Sequence, residues 1–309
     1  METINKVLDF IGSVFLTTLG QLVWLLGLIF IFGLILYLLA RFTRLIYVKT
    51  VGQKFDIIVT GWIGTPIHEL GHAIFCILFR HKITDIKLYD PDTKNGTIGY
   101  VQHSYKTTSI YQRIGNFFIG IGPILFGSLV LYAALYFLMP NFQTLLQAIN
   151  KHGFHIVGDI QTGNIAGSWS AIKAVSMSVL NAIFSAENLT NWRFWVFIYL
   201  SFCVASHMEL SPPDISGSKS GLITIVLFLL IFNLIIMGIE LLGWNTMLGS
   251  FWQYLKLETY SAGINKFLGI LGALFIYSVI ISALNFVLSY IVLGTINLVK
   301  GRGVLNPFW

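Results

Sequence analysis

The sequence predicts an all-α polytopic membrane protein, with about six transmembrane helices and a small β-hairpin inserted after the helix that carries His68 and His72. Three observations lead there. Of the 309 residues, 56% are hydrophobic and 10% are charged, where a soluble domain carries about 25% charged residues. Six apolar runs, near 12–40, 57–79, 114–139, 192–207, 221–242 and 267–298, reach or approach the roughly 20 residues that a bilayer crossing needs. One segment, 80–113, is instead rich in polar residues and turn formers. The fourth run is short and the sixth is long enough to tilt or kink, so about five to seven crossings fit the pattern.

The net charge of +6 and the pI near 9.2 do not point to nucleic acid, because the basic residues sit in short loops between apolar runs. Anionic lipid headgroups of a bilayer are the expected counterpart. Cys76 and Cys203 both fall within predicted helices, so neither a disulfide framework nor a cysteine metal knuckle follows. Three regions are expected: 1–55, a first membrane helix and basic connector; 56–243, the core; and 244–309, a last membrane helix region.

The first run follows Glu2, Lys6 and Asp9 rather than a basic leader, and is longer than a signal peptide's apolar stretch. It is expected to stay as a membrane helix. Arg41, Arg44, Lys49 and Lys54 then make a connector suited to a membrane surface or to solvent. The second run contains His68-Glu69-Leu70-Gly71-His72. Behind it, Ile83 to Tyr89 alternates apolar with polar, 90–96 is dense in turn formers, and Thr97 to Val101 can return as a strand. The resulting hairpin, within about 83–103, either closes a loop or offers its edge to an extended peptide.

The third run opens with Gly115, Gly120, Gly122, Pro123 and Gly127, small residues that allow close packing against the second run, with backbone groups freed at the Gly-Pro step. The polar stretch 140–191 holds His152 and His155, a weak metal pair, and an apolar segment at 171–184 that suits an interface or a re-entrant position. The fourth run ends in His207-Met208-Glu209-Leu210-Ser211-Pro212-Pro213-Asp214. The two prolines mark a break, and Gly217 follows before the next run.

Chemistry concentrates at the second run. On a helix, His68 and His72 share a face and can reach one metal ion, while Glu69 points beside them toward a water. Ionisable side chains are costly inside hydrocarbon unless paired or bound. A catalytic zinc takes three protein ligands, so a third comes from elsewhere. Asp214 is favoured, because a break on both its sides implies a backbone shaped to hold it. His207 is the alternative third ligand or a supporting partner, and the other two candidates, Glu209 and His103, read as a loop acid and a hairpin surface histidine. Glu69 as general base beside a zinc-activated water gives peptide-bond hydrolysis.

These residues resemble the site-2-protease-like intramembrane zinc metalloproteases. The likeness rests on His68-Glu-Leu-Gly-His72-Ala-Ile-Phe75, the following hairpin, the Gly122-Pro123 segment and a distant aspartate before glycine. It covers about 57–242. The resemblance implies zinc held by His68, His72 and Asp214, Glu69 activating water, a hairpin that helps to hold a membrane protein or peptide substrate, and a site open to the cytosol. Two positions depart from the family pattern. Gly127 stands near where an asparagine is usual, with Asn116 upstream, and Ile215 and Ser216 separate Asp214 from Gly217.

With alternating helices, the loops after the second and fourth runs and both termini share one side. Ten of the 19 Lys and Arg fall there and nine opposite, so charge bias does not orient the chain. A non-catalytic membrane chaperone or regulator on the same fold is the alternative, although Glu69 and both histidines are present. Transport would call for a second charged cluster within the runs.

Overall fold

No glycine or proline interrupts residues 34–51, and the first apolar run continues through the basic connector as one helix. This helix, α1 (Glu2–Thr50), ends where Gly52 adopts a φ of 91°, which a residue without a Cβ tolerates. The computed structural model describes residues 2–92, 98–143, 146–147, 159 and 164–308. The His152/His155 pair and most of the hairpin turn lie outside the described residues.

The second run begins as a π-helical segment, Asp56–Gly61, and passes into α2 (Trp62–Leu78). Its widened turn leaves carbonyls to be satisfied from outside. Tyr89 donates to the Ile57 carbonyl at 3.0 Å and Tyr199 to that of Val59 at 2.6 Å. The hairpin follows as β1 (Lys82–Lys87) and β2 (Tyr100–Ser104), antiparallel, with Lys87 opposite Tyr100 and a bulge at Thr84. Among the described residues the return strand starts at Tyr100, past Ile98 and Gly99. Gly99 is pressed against α2, where a Cβ would lie 2.8 Å from both Glu69 Cγ and Thr65 Cγ2.

The third run divides into α3 (Ile110–Gly120) and α4 (Gly122–Leu138), bent by 58° between them. Pro123 lacks the N–H that would reach back to the Ile119 carbonyl, which is why the helix breaks there. After α5 (Ile165–Ile183) come α6 (Trp192–Ser206), α7 (Pro212–Leu241) and α8 (Ser261–Val299), with short helical turns in the connections. The segment expected at an interface is therefore part of α5. Contacts are widest between α1 and α8, between α3 and α7, and between α2 and α4.

By length and composition, α1, α7 and α8 can each cross a membrane, and the bent α3–α4 pair counts as a fourth. Six crossings are not reached on that measure among the described residues. The fourth run gives only 15 residues in α6, and the second gives 17 in α2 behind its π turn. On α7, Ile223, Leu227, Phe228, Ile231 and Leu234 stand exposed, an apolar surface that water does not favour. Inside, Leu36, Leu131, Phe197, Phe275 and Tyr277 form a fully buried core. Polar links hold the long helices in register. Asn233 donates to Thr18 at 3.0 Å and to Gln21 at 2.9 Å, and Tyr47 bonds Asn285 and Ser289, each at 3.0 Å. In an apolar surrounding such bonds specify which helix faces which.

Candidate metal centre

His68 and His72 lie one turn apart on α2, and Asp214 reaches them from the first turn of α7. His72 Nε2 stands 3.2 Å from His68 Nε2 and 3.2 Å from Asp214 Oδ1, and His68 Nε2 is 3.6 Å from Asp214 Oδ2. Among the described residues these three form a group that could hold a metal ion. Their side chains are only 8–14% exposed.

Each histidine is oriented by a backbone carbonyl released at a helix irregularity. The carbonyl of Ile119, freed by Pro123, sits 2.7 Å from His72 Nδ1. His207 is the C-cap of α6, and its carbonyl lies 2.7 Å from His68 Nδ1. A carbonyl only accepts, so both Nδ1 atoms carry hydrogen, and when the rings are neutral both Nε2 atoms turn bare lone pairs toward the carboxylate. Three acceptors that converge this closely repel one another unless a proton or a metal cation lies between them. That electronic arrangement, as much as the distances, fits the group to a metal.

Asp214 owes its position to a capping box rather than to an irregular loop. Ser211 caps α7, its Oγ accepting from Asp214 N at 3.3 Å, while Ser211 N donates to Asp214 Oδ2 at 2.7 Å. Pro212 and Pro213 occupy the first helical positions, where no N–H is missed. The break expected on both sides of Asp214 exists on one side only. Helix α7 runs on through Gly217, where a Cβ would meet nothing within 4 Å.

His207 does not join the group through its ring. Its Nδ1 lies 3.0 Å from the Cys203 carbonyl, and its ring packs so closely on Gly64 that a methyl there has no room. What meets His68 is its backbone carbonyl. Glu209 is ion-paired to Arg44 at 3.6 Å, and Arg44 Nε also holds the fully buried Asp56 at 3.2 Å, with Thr60 donating to the same carboxylate at 2.7 Å. A residue of the basic connector thereby ties α1 to the segment that precedes α7.

Glu69 is 6% exposed and lines the same cavity of about 600 Å³ as His68, His72 and Asp214. A cavity of this size is typical of small-molecule and cofactor sites. The hairpin contributes Ile98, Gly99, Tyr100, Val101 and His103 to its lining, and α3 contributes Asn116 and Gly120. Close helix packing holds the floor. A Cβ on Gly71 would come 2.8 Å from Pro123 Cα, and one on Gly120 would come 2.6 Å from the Asp214 carbonyl oxygen.

The fold and the site together define a mostly helical, membrane-like chain with a two-histidine, one-aspartate group suited to a metal ion. Compared with known families, with curated proteins and with solved structures, the chain matches none.

Proposed function

We propose that this chain is a multi-pass integral membrane zinc endopeptidase, similar to the site-2-protease-like metalloproteases, which hydrolyses membrane-associated or transmembrane peptide segments. The carrying observation is that His68, His72 and Asp214 converge in the cavity that Glu69 also lines. A tetrahedral site with zinc–nitrogen distances of about 2.0–2.1 Å has ligand–ligand edges of about 3.3–3.4 Å. The 3.2 Å between the two Nε2 atoms and the 3.2 Å from His72 Nε2 to Asp214 Oδ1 are close to such edges, while the 3.6 Å contact to His68 is made by the other carboxylate oxygen, Oδ2. Zinc held there supplies Lewis acidity, which brings a water's deprotonation into the neutral pH range.

The protein's own groups do the rest. Glu69 takes the proton from the attacking water and passes it to the leaving amine. The hairpin supplies a strand beside the site, and an extended peptide can pair its backbone there. Pairing in this way requires a helical substrate to be unwound locally, because helical peptide bonds are shielded by their own hydrogen bonds. On this reading the bilayer surrounds α1, α2 with its π turn, α3–α4, α6, α7 and α8, giving six crossings, and the cavity faces the cytosol. Nucleic acid is not a partner.

The test compares membrane peptides in cells that make the wild-type protein with cells that make Glu69→Gln. New termini within or beside membrane segments are expected only with the wild type. Identical peptide sets, with both proteins folded and metal-loaded, overturn the peptidase reading.

A further inference from the structure

His103 sits on the hairpin wall of the cavity, outside the metal group, and its ring belongs to a directed chain of hydrogen bonds. At one end, the Gln112 carbonyl lies 2.8 Å from His81 Nε2. A carbonyl cannot donate, so His81 carries hydrogen on Nε2, and its Nδ1 is an acceptor when the ring is neutral. That Nδ1 lies 3.0 Å from His103 Nδ1, which must therefore be the donor. The one ring nitrogen left to His103 is Nε2, with a bare lone pair. Orientation of one imidazole by another group's hydrogen bond is the ordinary way to fix its tautomer.

The anchor of this chain is well held. Gln112 Nε2 donates to the Arg80 carbonyl at 2.8 Å, and its Oε1 accepts from Lys106 N at 2.6 Å. One glutamine side chain thus clamps both ends of the hairpin, while its carbonyl sets the His81 tautomer. His81 is 6% exposed and stacks on Tyr105 with ring centroids 5.0 Å apart. Burial lowers the proton affinity of both histidines, and in His103 the neighbouring His81 adds to it. Both rings are accordingly neutral at pH 7.

We propose that His103 is a substrate-binding residue, whose Nε2 accepts a hydrogen bond from a backbone N–H of the peptide lying between the hairpin and the His68/His72/Asp214 group. His81 is its positioning residue. This rests on the peptidase reading and adds to it the polar anchor on the hairpin side. The metal group and this fixed acceptor line one cavity, so for a peptide held there the acceptor sets which N–H faces the hairpin.

The experiment uses the full-length zinc-loaded protein in detergent and two probes: acetohydroxamate, which reaches only the metal, and a tripeptide hydroxamate, which also offers backbone N–H groups. A set of tripeptide hydroxamates N-methylated at single positions removes the N–H groups in turn. Binding is measured to wild type, His103→Phe and His81→Phe. One N-methylation is expected to weaken binding to wild type about three- to tenfold, the range of one hydrogen bond, and to have no effect on His103→Phe. His81→Phe is expected to lose part of the same discrimination, and acetohydroxamate to bind all three alike.

Equal N-methylation profiles in wild type and His103→Phe overturn the role of His103 while leaving the metal reading intact. If no N-methylation costs wild type anything, His103 is again overturned, and this arm needs no variant to fold. If acetohydroxamate fails to bind the zinc-loaded wild type, the peptidase reading falls and this proposal falls with it.

Discussion

Gly71→Ala puts the packing beneath the site to a direct test. An added methyl would lie 2.8 Å from Pro123 Cα and N and 2.9 Å from the Gly122 carbonyl carbon, all backbone atoms. Carbon atoms prefer about 3.5–4.0 Å, so α2 and α4 must separate by close to 1 Å. Overpacking of this kind costs about 1–3 kcal/mol, offset by up to about 1 kcal/mol from alanine's better helix propensity. A net loss of about 1–2 kcal/mol is expected. The same displacement pulls the Ile119 carbonyl away from His72 Nδ1, now 2.7 Å apart, and loss of such a supporting bond weakens metal binding about 10–100-fold. Thermal unfolding of the metal-free protein in detergent reads the first effect, and zinc titration against a competing chelator reads the second. Gly294→Ala in α8, where a Cβ meets nothing within 4 Å, is the control and is expected to be neutral or slightly stabilising. A Gly71→Ala protein as stable as that control, with wild-type zinc affinity, refutes the reasoning.

Other expectations follow from the same contacts. Pro123→Ala restores an N–H that competes for the Ile119 carbonyl, so zinc affinity is expected to fall about tenfold or more, as read by chelator competition. Arg44→Ala leaves Asp56, fully buried, without its cation. A loss of about 3 kcal/mol is expected, the low end for a buried pair because Arg44 is one-third exposed, and Asp56→Asn in the same chain should recover part of it in unfolding measurements. Ser211→Ala removes the cap of α7 and the hydroxyl that fixes the Asp214 turn, at about 1 kcal/mol. The His81–His103 pair carries a pH dependence: both rings bind protons less readily when folded than the unfolded value of 6.5. The unfolded chain therefore takes up more protons below that pH, and the pair's contribution is complete above about pH 6.5 and declines as pH falls toward the folded values. Melting curves from pH 7.5 to 5 should flatten in His81→Gln/His103→Gln, and an unchanged slope would count against the pair.

What was legible in the sequence follows from what side chains encode. His68, Glu69 and His72 declare themselves because an i, i+4 histidine pair with a carboxylate beside it has few structural uses in an apolar run. Asp214 comes to lie beside the two histidines for a reason that the prolines express only in part. The prolines suggested a break on both sides, whereas Ser211-Pro-Pro-Asp214 also carries the Ser-x-x-Asp pattern of a helix start, and that is the form it takes. The carbonyls that orient the two histidines, those of Ile119 and His207, were invisible because every residue has a carbonyl. Only Pro123, four residues past Ile119, hints that one of them is free. The His207 ring drew attention as a ligand, yet the close approach of Gly64 and the end of α6 turn its backbone, not its imidazole, toward the site. The connector 41–54 read as a surface segment because its charges look solvated. Nothing local reveals that Arg44 meets Asp56 twelve residues on and Glu209 far along the chain.

The most direct test of the central claim is the metal content of the purified protein in detergent, after zinc loading and removal of excess ion. It is read for wild type, His68→Ala, Asp214→Ala and His207→Ala, each shown to be folded. About one zinc per chain is expected in wild type, lost in His68→Ala and Asp214→Ala. It should be retained in His207→Ala, whose backbone carbonyl still reaches His68. A folded wild-type protein that takes up no divalent metal contradicts the account and leaves a non-catalytic chaperone or regulator as the reading. Loss of zinc in His207→Ala but not in Asp214→Ala contradicts the ligand set.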